Sequence, residues 1–372
     1  MMSTVTTDAP PGTGTAARAG AWIVLLGTVV TTVGVSWDIQ WHNDVGPDTF
    51  FTLPHLFLYS GSAISGFASL AMVLLATAAQ RAGRPVPRAG GTPVRVFGGA
   101  LTVPLGYMVS GAGAASFLLY GLLDLEWHSI YGFDAVLDTP SHVALFLSMT
   151  ITMIGSLIVF AAHRDELWGR AGVVASVAVL VSHMPIPFVA FDRLDLPVDP
   201  VFAGAVLCAS LLLIVGTLLL DRPGAALVLA LAVGALQALL WWFSPWAAQV
   251  YAHAVGLPMR DGLRSRPPTF PSMMPMFLGV AALVVEGAFR WGRARAIDAR
   301  KLVPALGVVV GVIIAVTMPL QFALTDPGAH VGAGEVLATA VVGVPLGLLA
   351  GFLGGRSAAM LRMLAPDKEI HR

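Results

Sequence analysis

Apolar runs recur along almost the whole chain, each long enough to cross the roughly 30 Å hydrocarbon core of a bilayer as a helix. The expected spans are 20–37, 53–78, 96–122, 140–162, 170–190, 200–220, 223–244, 272–290, 302–322 and 332–354, ten in all. Inside hydrocarbon no water is present to satisfy backbone N–H and C=O groups, so such runs must close their hydrogen bonds within helices. The fold class that follows is an all-α, polytopic membrane helix bundle. Composition agrees: only 11% of residues are charged and 56% are hydrophobic, with a mean hydropathy of +0.80, where a soluble domain carries about 25% charged residues. The proline-containing stretches near 183–187 and 319 are expected to kink or break their helices.

Charge orients the bundle. Seventeen of the 21 basic residues fall in the tails and the even-numbered connections. The odd-numbered connections hold only Arg193 and the trio Arg260, Arg264 and Arg266. By the positive-inside rule both termini are cytoplasmic, and the chain is an integral, multi-pass protein of the cell membrane. Residues 1–19 read as a disordered, Thr-, Ala- and Gly-rich tail, 166–355 as accessory transmembrane helices, and 356–372 as a cytoplasmic tail. The single Cys208 offers neither a disulfide nor a thiolate cluster. A formal net charge of zero and the lack of glycine-rich phosphate loops give no argument for a nucleic-acid partner.

Within 20–165 one polar pattern occurs twice. Asp38-Ile39-Gln40-Trp41-His42 continues through Gly46 and Asp48 to Pro54-His55. Asp124-Leu125-Glu126-Trp127-His128 continues through Gly132 and Asp134 to Pro140-Ser141-His142. The offset is 86 residues, with the last His displaced by one more. Asp and His four residues apart emerge on one helix face and can share an ion. The following His, at the start of the next helix, completes a set of one carboxylate and two imidazoles in each hairpin. Imidazole suits copper, zinc and iron, and no thiolate demands a softer ion. Individually these residues have ordinary uses. Trp41 and Trp127 would serve as interfacial anchors, and Pro54 and Pro140 as first-turn residues. Asp48 and Asp134 would serve as loop charges or as partners that hold an imidazole. Duplication of the whole set with its spacing is what those uses leave unexplained. Both loops lack Lys and Arg, which places both sets toward the extracytoplasmic side.

Asp38, His42 and His55 match in type and spacing the copper site of the C subunit of the particulate methane and ammonia monooxygenases. Asp124, His128 and His142 resemble a neighbouring site of that subunit, with Asp124 where the family has Asn. The resemblance covers roughly residues 20–165 and implies copper, one or two ions, and oxidase or monooxygenase chemistry with O2. The family's separate cupredoxin-like domain has no counterpart here, so methane or ammonia is not carried over as substrate. The expectation is a copper-dependent membrane monooxygenase or oxidase, with iron or zinc as other occupants and the six residues as ligands and catalytic centre. Its partners would be the lipid membrane, O2, a small or lipophilic substrate, an electron donor, and a second copy or a membrane partner subunit. The rivals are a copper transport or storage protein and a non-catalytic subunit of a membrane oxidoreductase. Outside 20–165 the leads are His183 as a channel or supporting residue, Met273 in Pro271-Ser272-Met273 as a decayed third copy of the motif, and the pair Asp326 and His330.

Overall fold

The computed structural model describes residues 13–46, 48–86, 89–132, 137–261, 267–326, 328 and 330–364. Asp134, Arg264 and Arg266 lie outside them. Nine helical segments among the described residues are long and apolar enough to cross a membrane. Eight are single helices: α1 (Thr13–Asp44), α2 (Leu53–Arg81), α3 (Leu105–Tyr131), α4 (Pro140–Ala161), α7 (Pro200–Leu220), α8 (Ala225–Val255), α11 (Ala299–Thr325) and α12 (Ala333–Arg362). The ninth is α5 (Leu167–His183) continued by the single turn α6 (Ile186–Val189), interrupted at Met184-Pro185 where proline removes a helix donor. Pro319 does not break α11.

The eighth expected crossing differs from a simple helix. The one-turn α9 (Thr269–Ser272) is followed by non-helical residues and then by the 17-residue α10 (Leu278–Ala294). Unwound backbone at membrane depth persists only where its polar groups find partners, and two glutamines provide them. Gln237 Nε2 donates to Pro271 O at 2.8 Å and Met274 O at 3.1 Å. Gln321 Nε2 donates to Ser272 O at 2.6 Å and Met274 O at 2.8 Å, while its Oε1 accepts from Met276 N at 2.8 Å. Midway along α10, the buried Glu286 accepts from Gly224 N and Ala226 N, both at 2.9 Å, and so caps the start of α8.

Three further boundaries depart from expectation. Residues 13–19 are the first turns of α1 rather than a tail: the Ala-rich stretch favours helix, and Ala17 is buried with its carbonyl facing the Tyr107 hydroxyl at 3.5 Å. Residues 356–362 likewise continue α12. Between α2 and α3 the chain forms an antiparallel hairpin, β1 (Pro93–Val96) and β2 (Leu101–Pro104), the one departure from an all-helical bundle among the described residues.

The repeat extends into packing. Gly27 of α1 meets α2 so closely that a Cβ would lie 2.6 Å from Gly61 O and 2.7 Å from Ser65 N. Gly113 of α3, 86 positions later, meets α4 in the same way, at 2.7 Å from Ser148 O and 2.5 Å from Thr152 N. Small residues let backbones approach where lipid supplies no hydrophobic drive to associate. The two hairpins therefore cross at equivalent points, which brings equivalent ends of α1–α4 together.

Candidate metal centre

Asp38 and His42 occupy the last two turns of α1, and His55 the first turn of α2. α1 ends as Gly46 takes φ +102°, with Val45 N and Gly46 N both bonded to Trp41 O. The chain then folds Asp48 inward. Asp48 Oδ1 accepts from Thr49 N at 2.7 Å and from the Thr52 hydroxyl. Asp48 Oδ2 lies 3.0 Å from His42 Nε2 and 3.2 Å from His55 Nε2, and Asp38 Oδ1 lies 3.1 Å from His55 Nε2. Two carboxylates and two imidazoles thus converge, with one donor atom from each within 4.8 Å of every other. Asp48 belongs among these donors, a closer role than its position in a loop suggested.

The second imidazole atom of His55 decides what the cluster can hold. Nδ1 faces Thr49 O at 3.0 Å. A carbonyl only accepts, so that contact holds a proton on Nδ1 and turns Nε2 toward two carboxylate oxygens. Converging lone pairs in a largely buried place repel unless a cation or an added proton sits among them. Burial alone would raise the Asp48 carboxyl, but the His42 hydrogen bond and the His55 charge outweigh it and hold it below the ordinary carboxylate value.

The second cluster repeats the arrangement of one helix-end carboxylate and two imidazoles. Asp124 and His128 lie in α3 and His142 in the first turn of α4, which Thr139 caps by accepting from His142 N at 3.3 Å. Asp124 Oδ1 is 3.5 Å from His128 Nε2 and 3.7 Å from His142 Nε2. His128 Nδ1 faces the carbonyl of Gly132, the residue that ends α3, at 3.0 Å. As with His55, the anchored nitrogen turns Nε2 toward the cluster.

Both clusters line one cavity of about 50 Å³, room for a few water-sized molecules. Its apolar wall carries pairs from the two hairpins: Leu58 with Leu145, and Tyr59 with Phe146, each 87 positions apart like His55 and His142. Tyr59 lines the cavity together with both clusters, its ring 6.1 Å from that of His55. Phe146 stacks on His142 with rings 16° from parallel. Tyr59 and Phe146 sit four residues beyond the last His of each copy, on the same helix face. That spacing was the available sequence signal for them.

The remaining leads sort clearly. Fully buried His183 meets the Phe146 carbonyl through Nε2 at 3.2 Å, behind His142 and outside the cavity lining. Trp41 is buried against Tyr251 of α8, with ring centroids 4.7 Å apart, rather than anchoring at an interface. Trp127 is half-buried and packs on Tyr131 of its own helix. Met273 packs against the core beside the glutamine-held break and does not line the cavity. Asp326 and His330 are in neither of the metal-type groupings among the described residues. Of the arginines in the odd-numbered connections, Arg260 covers the end of α1, with its backbone N–H on Asp44 O at 2.8 Å and its guanidinium 3.4 Å from Asn43 O. Arg193 pairs with Asp138 at 2.5 Å, next to the cap of α4.

Comparison with protein-family models, curated proteins and solved structures returned no match. The functional argument therefore rests on the two clusters and on the spacing of their residues.

Proposed function

We propose that the chain is an integral membrane metalloprotein that holds copper in these clusters and oxidises a small apolar substrate with O2. The observation that carries this reading is the convergence of two imidazole–carboxylate clusters on one small cavity with apolar walls. Asp38, His42, Asp48 and His55 would hold one ion, and Asp124, His128 and His142 another. The donor set fits a divalent transition ion, since each cluster gathers anionic oxygen and imidazole nitrogen around buried atoms otherwise left facing one another. When bound, a redox-active metal supplies a binding position for O2 and one-electron steps, with electrons delivered by a separate donor.

The chain's own residues do the rest. Thr49 O and Gly132 O fix the orientation of His55 and His128. Leu58, Leu145, Phe146 and Met149 restrict water and admit a small apolar molecule. Tyr59, lining the same cavity, offers a phenol hydroxyl that can hold or pass a proton there. Below Met149 lies a gap of about 10 Å³ lined by Thr28, Thr31, Ser62, Thr152 and Met153. No imidazole or carboxylate lines it, which supports an enclosed centre over a transport relay stepping through the membrane.

Metal analysis of protein prepared with limiting and then excess copper tests the assignment. One or two equivalents of copper per chain are expected. Stoichiometric zinc or iron that copper does not displace would overturn the copper assignment, though the donor set also suits those ions. The charge distribution further supports an extracytoplasmic position for both clusters. Single cysteines at Asn43 and Ser129, in a background lacking Cys208, should react with a membrane-impermeant thiol reagent on intact cells. Cysteines at Arg84 and Arg295 should not, and the reverse pattern would move the centre to the cytoplasmic face.

A further inference from the structure

A second polar cavity, of about 310 Å³, lies at the opposite end of the helices from the metal clusters. α4 runs from His142 at the clusters to Ala161, and the connection that follows supplies Arg164 and Asp165. Arg170 comes from the first turn of α5, Asp221 and Arg222 from the end of α7, and Arg362 from the end of α12. Four guanidiniums therefore face two carboxylates, an excess of positive charge in a concave site.

Two of the arginines build the wall. Arg362 Nη2 bonds to Leu218 O and lies 3.4 Å from Asp221 Oδ2, and Arg164 Nη1 donates to Arg362 O at 2.8 Å. The other two are less committed. Arg170 makes one bond, to the Asp165 carbonyl at 3.2 Å. The Arg222 guanidinium takes no acceptor among the described residues. α7 stops at Asp221, whose φ of +46° turns the chain there, and Pro223 prevents the helix from resuming. Arg222 is thereby delivered to the cavity instead of continuing along the helix.

Apolar side chains adjoin this charge. Leu219 and Leu220 line the cavity. Leu167, one turn before Arg170 on α5, is exposed, as are Met360 and Met363 beside Arg362. A basic concavity bordered by exposed apolar side chains at the end of a transmembrane bundle matches an amphiphile with a phosphate head and acyl tails. We propose that this cavity binds the phosphate head group of an anionic phospholipid. Arg170 and Arg222 contact the phosphate, Arg164 and Arg362 hold the wall, and the acyl chains lie along Leu167, Met360 and Met363. Soluble phosphate shares the head-group chemistry but makes no use of the apolar border.

The test uses the full chain, purified in detergent and stripped of lipid, with native mass spectrometry to count retained lipid. Phosphatidylglycerol and phosphatidylcholine are offered separately and together, and inorganic phosphate serves as competitor. Preferential retention of one phosphatidylglycerol is expected. The preference should fall about fivefold for each guanidinium removed in Arg222→Gln and in Arg170→Gln with Arg222→Gln. Metal equivalents at the far end should stay unchanged and report an intact fold. Arg222→Gln alters a side chain with no hydrogen-bond or ion-pair partner among the described residues, so it remains informative if the double variant fails to fold. Equal retention of the two lipids, or an unchanged preference in Arg222→Gln, overturns the proposal. Displacement of phosphatidylglycerol by millimolar inorganic phosphate would make the ligand a soluble anion and overturn it too.

Discussion

The two metal-type hairpins have nearly the same ligands and very different support. In α1–α2 Asp38 stands 3.9 Å from His42 and 3.1 Å from His55, and in α3–α4 Asp124 stands 3.5 Å from His128 and 3.7 Å from His142. Asp48 adds contacts of 3.0 and 3.2 Å to the first cluster, and its counterpart Asp134 lies outside the described residues. The first hairpin is braced from outside itself. Ser36 bonds to Ser244 of α8 at 2.7 Å, Asn43 donates to Thr269 of α9 at 2.7 Å, and Trp37 and Trp41 pack on α8 through Phe243 and Tyr251. On the second hairpin, α3 leaves Leu118, Leu119, Leu122 and Leu123 exposed on its outer face, and Trp127 finds its ring partner within the same helix. A duplicated ligand set copies the donors but not their surroundings. The surroundings decide how closely the donors are held before an ion arrives.

The largest expected effect separates the two centres. His55→Ala should remove one metal equivalent, lowering affinity at the first cluster by roughly a hundredfold or more while the second stays loaded. His142→Ala should do the converse. Titration with metal analysis reads both. If either substitution alone empties both clusters, the cavity holds one coupled centre, and the comparison of two independent sites is wrong.

Next in size is a stability difference between equivalent tryptophans. Trp41→Ala leaves a void among Val45, Ala252 and Tyr251 and should cost about 3 kcal/mol, whereas Trp127→Ala should cost under about 1 kcal/mol. Thermal unfolding in one detergent, without metal, measures both. Equal losses would mean that α8 does not brace the first hairpin preferentially.

These tryptophans also show where sequence reading ran out. Asp-x3-His and the later His are visible because their spacing is fixed by one helix turn and one short loop. Trp41 and Trp127 hold equivalent places in the repeat, yet only Trp41 meets α8, a partner some 200 residues away in the chain. Asp48 was legible as a repeated loop acid. Its entry among the donors depends on the turn at Gly46 and on the Thr49 and Thr52 contacts, which no periodicity encodes. The broken crossing at 273–277 was hidden for a related reason. The run 272–290 is apolar enough for a helix, and the groups that stabilise its unwound part, Gln237 and Gln321, belong to other helices. Apolar length reveals spans, and local spacing reveals ligand sets. Long-range polar contacts are carried by neither.

A smaller effect is expected from Asp48→Asn. The amide keeps an oxygen in place but loses a charge, so affinity at the first cluster should fall about tenfold. Thr52→Ala removes only a hydroxyl that steadies the carboxylate and should cost less. Matching losses in the two variants would return Asp48 to the role of loop hydrogen bonder.

The smallest expected change is Asp124→Asn, which introduces at the second cluster the residue type that the resembling family carries there. Asp124 Oδ1 is the carboxylate oxygen nearest both His128 and His142. Replacement with Asn preserves an oxygen at the same reach and removes the charge that attracts the ion. Because an oxygen stays within reach of both imidazoles, affinity should fall by a few-fold, to about tenfold at most. Occupancy of the first cluster should not change. The informative control is His128→Ala, which removes an imidazole anchored on Gly132 O and should empty the second cluster. If Asp124→Asn leaves its affinity unaltered while His128→Ala abolishes it, Asp124 is not a ligand. The second cluster would then be a pair of imidazoles beside a spectator carboxylate, and the likeness between the two hairpins would extend to their histidines alone.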